Sequence, residues 1–412
     1  MRLLRQKLLA AGFILAVSST LTLSIVLKPP TKMEMDIRLS SKIGSDSSKP
    51  GDSVEAVVLT PIRVGSKIVI PPGTKLFGKV KEAKSTGGKA DQRAYLLLEL
   101  NQLEVSGGKR IALTTKIISV DNARETVDDK GGIVGILASE TWASKMDEGL
   151  GKMDGKLAAL ADILGMAKKA VIKEPDPEIT YSPGVEMTLQ ITNKPDLSSL
   201  AAASAGYKGD PASPDPVLTK LVTTEPFQTI AEKPPKPSDM TNLMFVGSQE
   251  QIESAFTAAG WATAAALSSQ SGMETVRAVV ENRGYKEAPM SILLLDGNKP
   301  DLTFQKQNNT FAKRHHLRIW RRPETFEGKG VWVCAATHDI AIEFSPENKT
   351  LIHKIDSQID RERSKVMYDL LLTGQVKGSF LIDRPAVPKE SSNATGDKLI
   401  TDSKMGVLVL GN

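Results

Sequence analysis

Lys313 to Trp320 reads KRHHLRIW, and Arg321 and Arg322 follow at once. The chain has four histidines, His315, His316, His338 and His353, and all of them fall in this region and the forty residues it opens. Histidine is the side chain that changes charge near neutral pH, so the clustering points to proton transfer, metal ligation or anion recognition. For hydrolysis, His316 or His353 would act as general base, Asp356 or Asp360 would orient it, and Arg318 would stabilise developing oxyanion charge. The same histidines and aspartates could instead hold a divalent ion, although no spacing matches HExxH. No GxSxG supports a serine nucleophile. Lys313, Arg314, Arg318, Arg321 and Arg322 place five positive charges in ten residues with no acid among them. Arginine forks suit phosphate and carboxylate, and Trp320 or Trp332 could stack on a sugar. For Arg321 and Arg322, a solvated hairpin edge guarded by charge is the plainer expectation.

Period-two alternation on either side of PETFEGKG predicts a hairpin from KRHHLRIWRR and VWVCAATHDIAIEF. Alternation then assigns faces: His315 lies with Leu317 and Ile319, and His316 with Arg318 and Trp320. On the second strand His338 shares its side with Trp332 and Cys334, while Asp339 faces the other way. His315 and His338 are therefore expected to point toward a core as structural histidines. Downstream, His353, Asp356, Asp360 and Arg363 are spaced three, four and three, which predicts one helix face beside the apolar row Ile352, Ile355, Ile359, Val366 and Leu370. The alternative is that Asp356 caps a helix starting at Ser357 and leaves His353 off it. Upstream, TNLMFVGSQEQIESAFTAAGW reads as a strand, then a helix with Ser248 and Gln251 as a capping box.

Taken together, TNLMFVGS, AGW, KRHHLRIW, VWVCAATHD and HKIDSQIDRER resemble the C-terminal domain of LssY-type proteins over roughly 237–376. The resemblance marks His315, His316, Arg318, Trp320, Trp332, Asp339, His353, Asp356, Asp360 and Arg363 as positions fitting that pattern. In that family the domain often accompanies membrane-bound segments resembling lipid-phosphate phosphatases, whereas here it is joined to an exported β domain; the anionic ligand is suggested by the Lys313–Arg322 charges.

The rest of the chain supplies location and architecture. Arg2, Arg5 and Lys7 precede an uncharged run, Leu8 to Leu27, which reads as a signal peptide or an N-terminal membrane anchor over 1–27. Short alternating runs punctuated by glycine from about residue 49 to 192 predict a small all-β barrel or sandwich, with inserted helices over 131–172. PPGTKLFGKV and SPGVEMTLQI are two copies of a Pro-Gly turn launching a strand, and the second is expected to return to the same sheet. This β domain resembles the extracytoplasmic domains of TrbI-type conjugal-transfer proteins, which implies an envelope scaffold. Residues 193–240 are proline-rich and read as a linker holding the domains apart, 241–377 as an α+β domain built on the hairpin with flanking helices, and 378–412 as an extension. Cys334 is the only cysteine, so no intramolecular disulfide or CxxC metal site exists. With 53 basic and 48 acidic residues the net charge of +5 does not argue for nucleic acid.

These readings converge on an exported cell-envelope protein, periplasmic or anchored facing outward, that binds an anionic phosphorylated lipid or glycan, with envelope or secretion proteins as further partners. A scaffold and a His/Asp hydrolase, metal-assisted or not, are the alternatives, and no cofactor is named by any motif. Alkaline-phosphatase fusions after residue 30 should be active. Activity confined to cytoplasmic reporters would remove the export reading.

Overall fold

The structure is a computed structural model describing residues 33–411 except 65–66, 90, 106–107, 122–123, 138–176, 194–214, 264–291, 307–312 and 346–349. The expected signal segment and nearly all of the expected helical insertion lie outside the described residues. Of the insertion, the structure describes the short strand Ile133–Val134, which pairs with Tyr95–Glu104.

Strict alternation builds the first domain. Met33–Leu39 buries every second residue, and Tyr95–Glu104 does the same with Leu96, Leu98 and Leu100 before slipping one position to bury Leu103. Each such side chain removed from water contributes about 1.5–3 kcal/mol. Nine strands join in one sheet around this core, and it nearly closes where Leu113, just before the end strand Thr115–Val120, donates its N–H to Asn101 O of Tyr95–Glu104 at 2.8 Å. The result is nearly a barrel, in line with the expected all-β domain. The two Pro-Gly copies are the same device twice: Gly73 and Gly184 take φ of +79° and +103°, where a Cβ would be strained. The second copy does return to the sheet, because Glu186–Ile191 pairs with both Met33–Leu39 and Thr115–Val120.

The second domain is an eight-stranded sheet around the expected hairpin, Arg314–Phe326 and Lys329–Ser345, closed by Glu327 and Gly328 at positive φ. Its two faces carry different cores. Leu317, Ile319, Trp332 and Cys334 meet helices α2 (Gln249–Ala258) and α3 (Ile359–Leu371) on one side. Trp320, Val331, Val333 and Val407 meet helix α1 (Pro216–Thr224) on the other. The alternation read from the sequence thus assigns the faces correctly, and the Ser248–Gln251 capping box is formed.

Three expectations change. The segment read as linker is folded from residue 215 onward: Asp215 caps α1, whose Leu218 and Val222 enter the core, and Gln228–Ala231 pairs with Pro237–Met240. Its prolines include a helix first-turn residue, Pro216, and the first residue of a strand, Pro237, where no backbone donor is needed. The expected extension is integral, since Lys404–Leu410 lies parallel to Leu243–Val246 and antiparallel to Val376–Asp383. The helix expected to carry His353 begins only at Ile359, and Thr350–Ile355 is instead a strand paired with the hairpin.

The domains are not held apart. Arg38 of the β domain donates to Glu186 at 2.7 Å and to Asp369 of α3. Lys306 meets Asp369 at 2.8 Å, Lys365 meets Glu186 at 2.6 Å, and Trp261 Nε1 donates to Asp369 at 2.9 Å. Burial alone would raise the Glu186 carboxyl, but Lys365, Arg38 and Lys306 hold it down at about 2. Such an acid contributes stability that is complete above its unfolded value near 4.3 and is lost as pH falls through the folded value. Chemical denaturation should therefore show a flat plateau from pH 7 to 5 and a loss on the order of 3 kcal/mol between about pH 4.5 and 2. Glu186→Gln should flatten that acid limb, and an unchanged limb would mean the cluster does not hold the carboxylate.

Candidate functional site

Cross-strand register sets His315 opposite His338, and their rings stack with centroids 4.0 Å apart. His315 Nδ1 donates to Glu362 Oε2 at 2.7 Å, a residue in the first turn of α3. Its Nε2 donates to Asp121 Oδ2 at 2.5 Å, and Asp121 sits just past the β-domain strand Thr115–Val120. Desolvation would lower the His315 pKa, but the carboxylates of Glu362 and Asp121 overcome it and hold the ring up to about 10. Asp121 responds in kind: burial pushes its acid up, and His315 and His338 drive it well below the usual carboxylate range. His338 Nε2 lies 3.3 Å from Asp121 Oδ1, yet it is a buried atom without an aligned hydrogen bond.

One residue along, the opposite face of the sheet has a different chemistry. His316 is pushed down to about 3, chiefly by burial, with Asp339 pulling it up and Arg314 and Arg318 opposing that pull. A neutral ring protonated at Nδ1 fits its surroundings, since Nδ1 faces Arg314 O at 3.4 Å and Nε2 faces the Thr337 hydroxyl at 3.0 Å. Asp339 Oδ2 gathers this face, taking Arg314 Nε at 3.0 Å, His353 Nδ1 at 3.3 Å and His316 Nδ1 at 3.6 Å. His316 and His353 are therefore brought together as the sequence suggested, through an aspartate and not through a helix face. A histidine with so low a pKa is a poor base at neutral pH.

The remaining candidates disperse. Arg318 pairs with Asp239 at 3.1 Å in full burial, and Arg322 pairs with Glu225 and Asp296. Arg321 is exposed, as expected of a solvated edge, and donates to backbone carbonyls over the Trp332 ring. Trp320 and Trp332 are core residues whose indoles donate to Asn298 O and Gly247 O, leaving no face for a sugar. Asp360 and Arg363 form the expected helix pair, but Arg363 also forks onto Asp402 at 2.7 and 2.9 Å. Asp356 accepts from Gln358 N at 2.9 Å just before α3, whose N-cap is Gln358 itself.

A cavity of about 680 Å³ lies between the domains, and His315, His338, Asp121, Asp356, Asp360 and Glu362 are among its walls. The histidines expected to be structural thus face the cavity, and those expected to act do not line it. Asp121 and Glu362 were missed: one belongs to another domain, 194 residues from His315, and the other sits inside the charged run DRER.

Residues 224–405 match the family model described as the LssY C-terminus. The LssY-like domain so matched runs from the last residue of α1 to the start of the last strand, wider at both ends than the motifs alone mark. Among solved structures, ComB10 of the Com type IV secretion system of Helicobacter pylori aligns at 13% identity over 39% of this chain and 85% of that one, with a TM-score of 0.21. At that score the likeness carries no argument. Comparison with curated proteins gave no match.

Within the LssY domain, Asp339→Ala would leave Arg314 buried without its carboxylate. Removing one partner of a buried pair costs about 3–5 kcal/mol, and that loss should appear in equilibrium denaturation. His353→Ala, on a partly exposed side chain, should cost no more than about 1 kcal/mol. Equal effects would show that Asp339 does not organise this face.

Proposed function

We propose that the chain is a non-catalytic binding protein of the cell envelope, and that its ligand enters the cleft between the β domain and the LssY domain carrying a positively charged group. One observation carries this reading. Arg314, Arg318 and Arg322, which suggested an anionic ligand, are each committed to a carboxylate elsewhere, whereas the cleft is lined by Glu34, Asp36, Asp121, Glu186, Asp356, Asp360 and Glu362 against Lys313, Arg361, Lys365 and the protonated His315, so acids are in excess there. Asp36 accepts from the hydroxyls of Thr60 and Thr188, and its pKa is raised, chiefly by burial, with repulsion from Glu186 and Asp121 added. A cation in the cleft relieves that repulsion, and an anion increases it. The cavity volume falls within the range of about 300–1,000 Å³ typical of small-ligand sites. The hydrolase alternative takes its base from His316 or His353, and neither lines the cavity: His316 is neutral and walled in by Arg314 and Thr337, and His353 beside Asp339 is also pushed down by burial. Export rests on the basic start and the apolar run that follows it.

Thermal unfolding of the purified chain in constant ionic strength separates the signs of ligand. Spermidine or Mg²⁺ should raise the midpoint, by the equivalent of about 2.7 kcal/mol at a hundredfold excess over Kd, and Asp36→Asn should reduce the rise. Stabilisation by phosphate or citrate with none by the cations would overturn the reading in favour of an anionic ligand.

A further inference from the structure

We propose that Asp121, His315 and His338 form a transition-metal site, suited best to Zn²⁺, that joins the two domains. This deepens the cationic-cleft reading and rests on it.

The donor set argues for the class of metal. Two imidazoles and one carboxylate each offer a ligand atom, and these atoms all lie within 4.8 Å of one another. Nitrogen donors of this kind suit zinc and its neighbours, whereas magnesium and calcium take oxygen shells. Tetrahedral bonds of about 2.0–2.1 Å imply ligand atoms about 3.3 Å apart. His338 Nε2 already stands 3.3 Å from Asp121 Oδ1. His315 Nε2 is 2.5 Å from Asp121 Oδ2, so that pair opens by less than about 1 Å to admit an ion.

Two further observations support the assignment. His338 Nε2 is buried beside Asp121 with no aligned hydrogen bond, an atom for which a metal bond supplies the missing partner. His315 Nδ1 is held by Glu362, and a carboxylate behind a ligating histidine fixes its tautomer and orientation. The proton balance is simple. His315 without metal carries a proton on each nitrogen, the ion takes Nε2 and releases that proton to solvent, and Nδ1–H stays on Glu362. Three protein ligands leave a fourth position, and the cavity walled by these residues is where a water or a ligand donor atom would fill it.

The test uses the full chain stripped with chelator and titrated with Zn²⁺ by calorimetry, with metal content read after dialysis. One ion per chain is expected, with Co²⁺ giving the visible absorption of a tetrahedral site. His338→Gln and Asp121→Asn should abolish stoichiometric binding, Glu362→Gln should weaken it about 10–100-fold, and His353→Ala should bind as the parent does. Circular dichroism of each variant confirms folding, and His338 and Asp121, the less buried members, keep the test open should His315→Ala fail to fold. No bound zinc, or binding unchanged in His338→Gln, overturns the site. If zinc fails while spermidine or Mg²⁺ still stabilises the chain, the metal site falls and the cationic cleft stands. If none of them acts, both fall.

Discussion

Everything that faces the cleft depends on the buried charge cluster of Arg38, Glu186, Lys306, Lys365 and Asp369. Moving charges out of water costs several kcal/mol per ion, and only a complete set of partners offsets it. Here each carboxylate is shared among three cations, and the Trp261 indole donates to one of them. An arrangement that is favourable only when complete leaves little room for sliding, so the β domain meets α3 in one orientation. That orientation delivers Asp121 to the histidines. A hydrophobic interface would have tolerated sliding, whereas paired charges such as Asp121 and His315 fix which residues of the two domains meet.

The neighbouring histidines show how far one step along a strand can go. His315 and His316 are adjacent and both are buried. Alternation sends one to face Glu362 and Asp121 and the other to lie among Arg314, Arg318 and Thr337. Desolvation disfavours the imidazolium in both places. Two anions reverse it at His315, which is held up to about 10, whereas at His316 the single anion Asp339 is opposed by Arg314 and Arg318 and burial prevails, pushing the ring down to about 3. The burial is the same, and the balance of neighbouring charge decides the protonation state.

What was legible in the sequence was what depends on local periodicity. The hairpin, the face of each histidine and the capping box at Ser248 follow from local periodicity, and the return of the second Pro-Gly strand follows from a repeated motif. What misled was spacing without context: His353, Asp356, Asp360 and Arg363 fit a helix arithmetically, but His353 pairs in a strand opposite Ile342. Proline content read as a linker failed for a related reason, since proline at a helix start or strand start is compatible with order. The partners of the arginines were not legible at all. Arg318 finds Asp239 79 positions away, and Arg38 finds Asp369 331 positions away, distances at which nothing in the chain marks a pairing.

The division of charge between the domains gives the interface its logic. Within the LssY domain alone, Lys306, Lys365 and Asp369 sum to one excess positive charge, and His315 as a cation has Glu362 for one nitrogen only. Each group lacks one carboxylate. The β domain supplies both, Glu186 to the lysines and Asp121 to the histidine, from adjacent strands of its sheet. Arg38 comes with them and restores the excess charge, and Lys306, whose ammonium is pushed down to about 8 chiefly by burial, is the group best placed to release it. The same two strands therefore complete the clamp and build the wall of the cleft, so docking and formation of the site are one event.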